Sequence, residues 1–194
     1  MKTAVLTLFL AALPALQGET YKIDAAHSKA QFSVRHMMVS NVRGEFTRLS
    51  GTVDYDESHP TAIRIDATID ATSINTGEPK RDAHLKSPDF FDTTKYPTLT
   101  FKSKSARKTA AGLAVTGDLT IHGVTREVVL DVEGPTSEIK DMMGAFRRGA
   151  TATAKINRKD FGLTWNAALE AGGVVVGDQV TITIDVEATR TPAK

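Results

Sequence analysis

Apolar and polar residues alternate along most of this chain, from Tyr21 to Thr189, with a period of two. Ile63, Ile65, Ala67, Ile69 and Ala71 fall on one side, and Arg64, Asp66, Thr68, Asp70 and Thr72 on the other. The same phase governs Leu113, Val115, Gly117, Leu119 and Ile121, then Ala150, Ala152, Ala154 and Ile156. It returns in Val180, Ile182, Ile184, Val186 and Ala188. Strand side chains point to opposite faces in turn, so each segment is apolar on one face and wet on the other. An antiparallel sheet can cover its single apolar face by curling on itself. The apolar face here is rich in alanine and glycine, and a cylinder closed on small residues leaves room for a ligand.

Turn signals divide the alternation into strands at Tyr21–Ala25, Lys29–His36, Arg43–Asp56, Ile63–Thr72 and Thr98–Ser103, with a slip of phase near Phe46. Further strands follow at Leu113–His122, Thr125–Glu133, Arg147–Asn157 and Asp178–Thr189, the first two joined in a hairpin at Gly123. Met37–Val42 reads as a loop or short helix. Pro79, suited to a first helical turn, and Leu85 predict one short helix near residues 78–87, within Gly77–Ser87. The fold class is all-β. No internal repeat or linker divides the chain, so residues 19–190 form one domain with a frayed tail at 191–194.

Composition narrows the chemistry. Lys2 and the apolar run Ala4–Leu16, ending at Gly18, read as a signal peptide over residues 1–18, with a retained membrane anchor as the other reading; removal of the peptide puts the mature chain in the periplasm or outside the cell. With Lys2 set aside, 24 Lys and Arg become 23, against 23 Asp and Glu. That balance gives no electrostatic case for nucleic acid or for an anionic membrane surface. Cysteine is absent, which removes thiol catalysis, thiolate metal sites and disulfides together. No second apolar run approaches spanning length, so stable membrane insertion is not expected.

Short motifs then recur in order across the mature chain. They are Tyr21-Lys22-Ile23-Asp24 with His27-Ser28, Phe32-Ser33-Val34-Arg35-His36, Gly44-Glu45-Phe46, Gly51-Thr52-Val53 and Ser73-Ile74-Asn75-Thr76. Arg81-Asp82-Ala83-His84-Leu85, Ser87-Pro88-Asp89-Phe90-Phe91-Asp92 and Tyr96-Pro97 follow, then Gly117 to Thr125, Ile156 to Leu163 and Gly177-Asp178-Gln179-Val180. In this order they resemble the YceI-like family of exported lipocalin-like proteins. The resemblance implies an eight-stranded antiparallel lipocalin-like barrel, open at one end, that holds a polyisoprenoid or other long-chain amphiphile. It also implies a homodimer, and it names no cofactor. Cargo on such a scaffold differs between members, so fold is the firmer implication.

Particular residues follow from these readings. Phe32, Val34, Leu99, Phe101, Leu119 and Ile121 fall on inward faces and would wall a cavity, or fill it. Phe90 and Phe91 would line or cap a tunnel, or pack as core beneath the helix. Arg81, Asp82 and His84 offer donors and acceptors for the polar end of a quinone or prenyl phosphate; an Arg81–Asp82 network pinning the helix is the other reading. The five histidines, His27, His36, His59, His84 and His122, form no HxH or HExxH pair. The expectation is a carrier without metal, cofactor or catalysis. Its rivals are an enzyme using Asp82, His84 or His122, and an interaction module with a filled interior.

Overall fold

The computed structural model describes residues 18–170 and 172–191. The leader read at 1–18 and the tail at 191–194 lie outside these residues, Gly18 and Thr191 excepted. The strands are β1 (Glu19–Ile23), β2 (Lys29–His36), β3 (Ser40–Phe46), β4 (Leu49–Tyr55), β5 (Arg64–Asp70) and β6 (Ile74–Asn75). One helix, α1 (Pro79–Lys86), precedes β7 (Thr98–Lys108), β8 (Gly112–Ile121), β9 (Val124–Glu133), β10 (Ile139–Lys140), β11 (Phe146–Asn157) and β12 (Val176–Arg190). No helix among the described residues is long and apolar enough to cross a membrane.

These segments make eight barrel strands. β1 and β2 both pair with β12, β4 and β3 pair with them, and β5 and β6 pair with β4 and β3. Each couple is thus one long strand with a kink. The first kink is bridged by a side chain: the Ser28 hydroxyl donates to the Glu187 carbonyl (3.2 Å) and accepts from the Glu187 amide (3.0 Å). The second, at Thr47–Arg48, is the phase slip read near Phe46, and Ser73 serves its backbone through its carbonyl and hydroxyl. From β7 the ring continues through β8, β9 and β11 to β12, which closes it on β1 and β2. Every pairing is antiparallel and the order follows the chain, so the barrel is an up-and-down meander with β10 as a flap on β11.

Local chemistry explains the joints. The β8–β9 hairpin turns on His122 (φ 53°) and Gly123 (φ 74°), the two positive angles that a two-residue turn matched to strand twist requires. A Cβ on Gly123 would lie 2.5 Å from the Tyr96 ring, so glycine is needed there twice over. α1 opens on Glu78, whose carboxylate accepts from the Lys80 amide (3.2 Å), with Pro79 in the first turn. Two differences from the sequence reading stand out. β3 begins at Ser40, leaving only a tight turn where a loop or helix over Met37–Val42 was expected. β7 runs on from Ser103 to Lys108, because a register shift between Ser103 and Ser105 breaks the alternation that would have revealed it.

The core has two clusters, one toward each barrel end. Tyr21, Tyr55, Ile63, Leu113, Val115, Leu130 and Val132 belong to the first, together with Phe101. Phe46, Ile74, Leu99, Ile121, Phe161 and Leu163 belong to the second.

Candidate ligand-binding site

Between these clusters lies a cavity of about 230 Å³. Its wall takes residues from every long strand and runs from Tyr21, Tyr55 and Arg148 at one end to Leu85, Phe90, Leu163 and Val176 at the other. Phe32, Val34, Leu99, Phe101, Leu119, Ile121, Phe90 and Phe91 all stand on this wall. Its polar side chains are Gln31, Thr100, Tyr21, Tyr55, Arg148 and Arg158, with no carboxylate or histidine among them. Such a surface favours an apolar occupant, since a buried polar group without a partner costs several times what an apolar one gains.

The room does not come from every small residue. Gly117 faces inward, but Phe101 has moved into its place, so that a Cβ would meet the ring at 2.5 Å. Gly44 accommodates the Phe32 ring in the same way. Open wall is supplied instead by alanines, among them Ala30, Ala67, Ala150, Ala152 and Ala188. Ala71 serves a different purpose, fully buried in the short 3-10 turn Ala71–Ser73.

An arginine stands at each end. At the first, Arg148 donates to the Tyr21 hydroxyl (3.1 Å), the Thr136 carbonyl (2.8 Å) and Glu57 (2.8 Å). Its guanidinium lies over the Tyr55 ring, 5.3 Å from the centroid. Tyr21 donates to Glu138 (2.5 Å), which also receives Arg190 (2.8 and 3.0 Å). At the other end Arg158, 3% exposed, donates to the carbonyls of Leu163, Trp165, Val176 and Gly177. Burial pulls its pKa below the ordinary arginine value. It thereby fastens the span between β11 and β12 across the barrel mouth, where Trp165 packs on Phe90 at 5.2 Å.

Arg81, Asp82 and His84 do not border the cavity. Arg81 donates to the Thr76 hydroxyl (2.8 Å) and carbonyl (3.0 Å), and Asp82 accepts from the Thr76 amide (2.9 Å) and hydroxyl (2.6 Å). This is the helix-pinning arrangement. His84 meets Asp89 at 2.8 Å and sets its ring edge-to-face with Phe90 and Trp165. Sequence reasoning passed over Arg148 and expected Arg158 to form a structural ion pair with Asp160, whereas its carboxylate neighbour is Asp178 at 3.4 Å; both arginines keep the inward phase of β11, ahead of Ala150 and after Ile156.

The sequence profile of the YceI-like domain matches residues 21–188. The chain belongs to the YceI-like family. Among its relatives is UPF0312 protein SA2479 of Staphylococcus aureus (strain N315), 39% identical over 167 residues, covering 86% of this chain and 95% of that protein. The crystal structure of the Campylobacter jejuni YCEI protein is 34% identical with a TM-score of 0.68, over 81% of this chain and 90% of that one. A polyisoprenoid binding domain from Saccharophagus degradans shares the fold, with a TM-score of 0.63 at 19% identity over 89% of this chain and 98% of that one.

One polar cluster in this YceI-like chain lies away from the barrel interior. Asp24, His27 and Glu187 come together beside the first kink. Arg147 donates to Asp24 (3.0 Å) and also to Glu187, so a cationic group already occupies the position that a metal ion would take. The His27 hydrogen bond first, and Arg147 second, hold the Asp24 carboxyl at about 2, and the Asp24 hydrogen bond raises the His27 pKa.

Proposed function

We propose that this protein carries a long-chain amphiphile of the polyisoprenoid class, a quinone or prenyl phosphate, within its barrel, and that it does so after export. The observation that carries the reading is the continuous wall from Tyr21 to Val176, apolar over almost its whole length and drawn from every long strand. An unsaturated chain along that wall gains about 0.8 kcal/mol per methylene-sized group removed from water. About ten such groups reach micromolar affinity before the cost of ordering the chain. The polar end then sets orientation more than strength. The fold shared with the Saccharophagus degradans domain, described as polyisoprenoid binding, supports the same class of cargo. The absence of any histidine or carboxylate from the wall favours carriage over acid–base catalysis.

Titration with a prenyl phosphate and an isoprenoid quinone, followed by calorimetry and Trp165 quenching, tests this. Saturable one-to-one binding is expected. Its absence for both ligands, with the protein folded, would exclude the reading.

A further inference from the structure

The turn between β2 and β3 leaves three apolar side chains in solvent, Met37 (43% exposed), Met38 (56%) and Val39 (77%). The Met37 amide donates to the Val175 carbonyl (2.8 Å), which brings the exposed Val174 alongside. The turn is well formed: Arg35 donates to the Met38 carbonyl at 2.8 Å. Met37 and Met38 hold positive φ angles, 48° and 61°, which asparagine or glycine adopts more readily. Neither the turn nor solvation therefore favours methionine here.

We propose that this tip docks on the surface of an anionic phospholipid bilayer, at the end of the barrel where cargo passes. Three observations converge on that partner. From Ser33 to Arg43 the hairpin holds no carboxylate. Arg35 and Arg43 lie on one face of it, and neither joins an ion pair among the described residues, whereas Arg147, Arg148 and Arg190 each do. The adjoining span between β11 and β12 holds two carboxylates, the exposed Asp160 and Glu170, and Asp178 just beyond it is taken up by Arg158 (3.4 Å) and Lys159 (2.9 Å). Finally, Val34 and Val176, close behind the tip in β2 and β12, stand on the cavity wall, so an apolar track leads from Met37 and Val174 into the lumen. A second copy fits this surface poorly. Four side chains fall well short of the ~800 Å² per partner of a stable interface, and a two-fold axis would set each arginine pair near its own copy.

The inference concerns where the proposed carrier meets its lipid source, and vesicle binding reads it independently of cargo. Flotation with phosphatidylglycerol–phosphatidylethanolamine vesicles should recover the protein, and pure phosphatidylcholine vesicles should not. At about fivefold in affinity per basic residue near such a surface, Arg43→Gln should weaken binding about fivefold and Arg35→Gln with Arg43→Gln about thirtyfold. Met37→Asn with Met38→Gly, which suit the turn, should lower binding at least tenfold, while both pairs leave uptake of prenyl phosphate from detergent micelles unchanged. Equal recovery on neutral vesicles, unchanged binding in the variants, or loss of a dimer in light scattering when the tip is altered would overturn the proposal. Failure of micelle uptake by the parent protein would count against the carrier and leave the vesicle result to stand alone.

Discussion

Replacing Arg158 by methionine keeps most of the unbranched apolar stem and removes the donors. Four main-chain carbonyls, those of Leu163, Trp165, Val176 and Gly177, then lose a charged partner. Of these, the Val176 carbonyl keeps a second donor in Asn166 Nδ2 (2.7 Å). A hydrogen bond to a charged group nets about 1.5–3 kcal/mol, but the desolvation of Arg158 offsets part of the sum. Each buried carbonyl left without a donor costs about 1–3 kcal/mol, so the net loss should amount to a few kcal/mol. That is a large share of the ~5–15 kcal/mol that holds a domain together. The chain has a single tryptophan, Trp165, and its own carbonyl is one of the acceptors. Urea unfolding followed by its fluorescence should therefore report the loss directly, with the fluorescence transition preceding the circular dichroism transition as the mouth span loosens first. Arg158→Lys should fall between parent and methionine, because an ammonium cannot reproduce the planar fork. If Arg158→Met unfolds within about 0.5 kcal/mol of the parent, the arginine is not the clasp inferred here.

Other perturbations separate the parts of the account. Ala67→Leu with Ala152→Leu should fill the lumen: up to about 2 kcal/mol of added burial per site, set against about 1–3 kcal/mol of repacking strain, leaves the melting temperature within a few degrees and abolishes prenyl phosphate uptake. Gly117→Ala puts a methyl 2.5 Å from the Phe101 ring and the Lys102 carbonyl, so it should destabilise by about 1–3 kcal/mol in chemical denaturation. The Asp24–His27 pair should give stability an optimum in pH. Asp24 is held at about 2 against 3.8, so its contribution is present above pH 3.8 and lost as pH falls toward 2. His27 is raised from 6.5, so its contribution is present below 6.5 and lost as pH rises through its raised value. Melting curves across pH should thus peak between about 4 and 6.5, and Asp24→Asn should flatten both limbs; an unchanged profile in that variant would refute the assignment.

Most of the barrel was legible because one side of each strand is buried, and burial with a period of two leaves a mark in sequence. The inward series Val180 to Ala188 lies on the cavity wall without exception, and all eight aromatic and aliphatic residues read as walls stand there. Bulges erase that mark, which is why the extent of β7 was missed. Volume was harder to read than direction. Gly117 looked like empty space, yet whether a neighbouring ring swings into a glycine site is decided across strands, where a single sequence is silent. Arg148 was legible and overlooked, and Arg158 was read as a partner of Asp160, although Arg148, Ala150, Ala152, Ala154, Ile156 and Arg158 keep one phase, with cations at either end of an alanine-rich wall. The reach of Arg81 was not legible: the nearness of Thr76 depends on the cap of α1.

The most direct measurement is native mass spectrometry of the protein purified from its native source without detergent, beside the Ala67→Leu, Ala152→Leu variant. The account predicts a discrete adduct of isoprenoid mass on the parent that is released by organic solvent and missing from the variant. A bare chain mass in both, or the same adduct on the filled barrel, would contradict it.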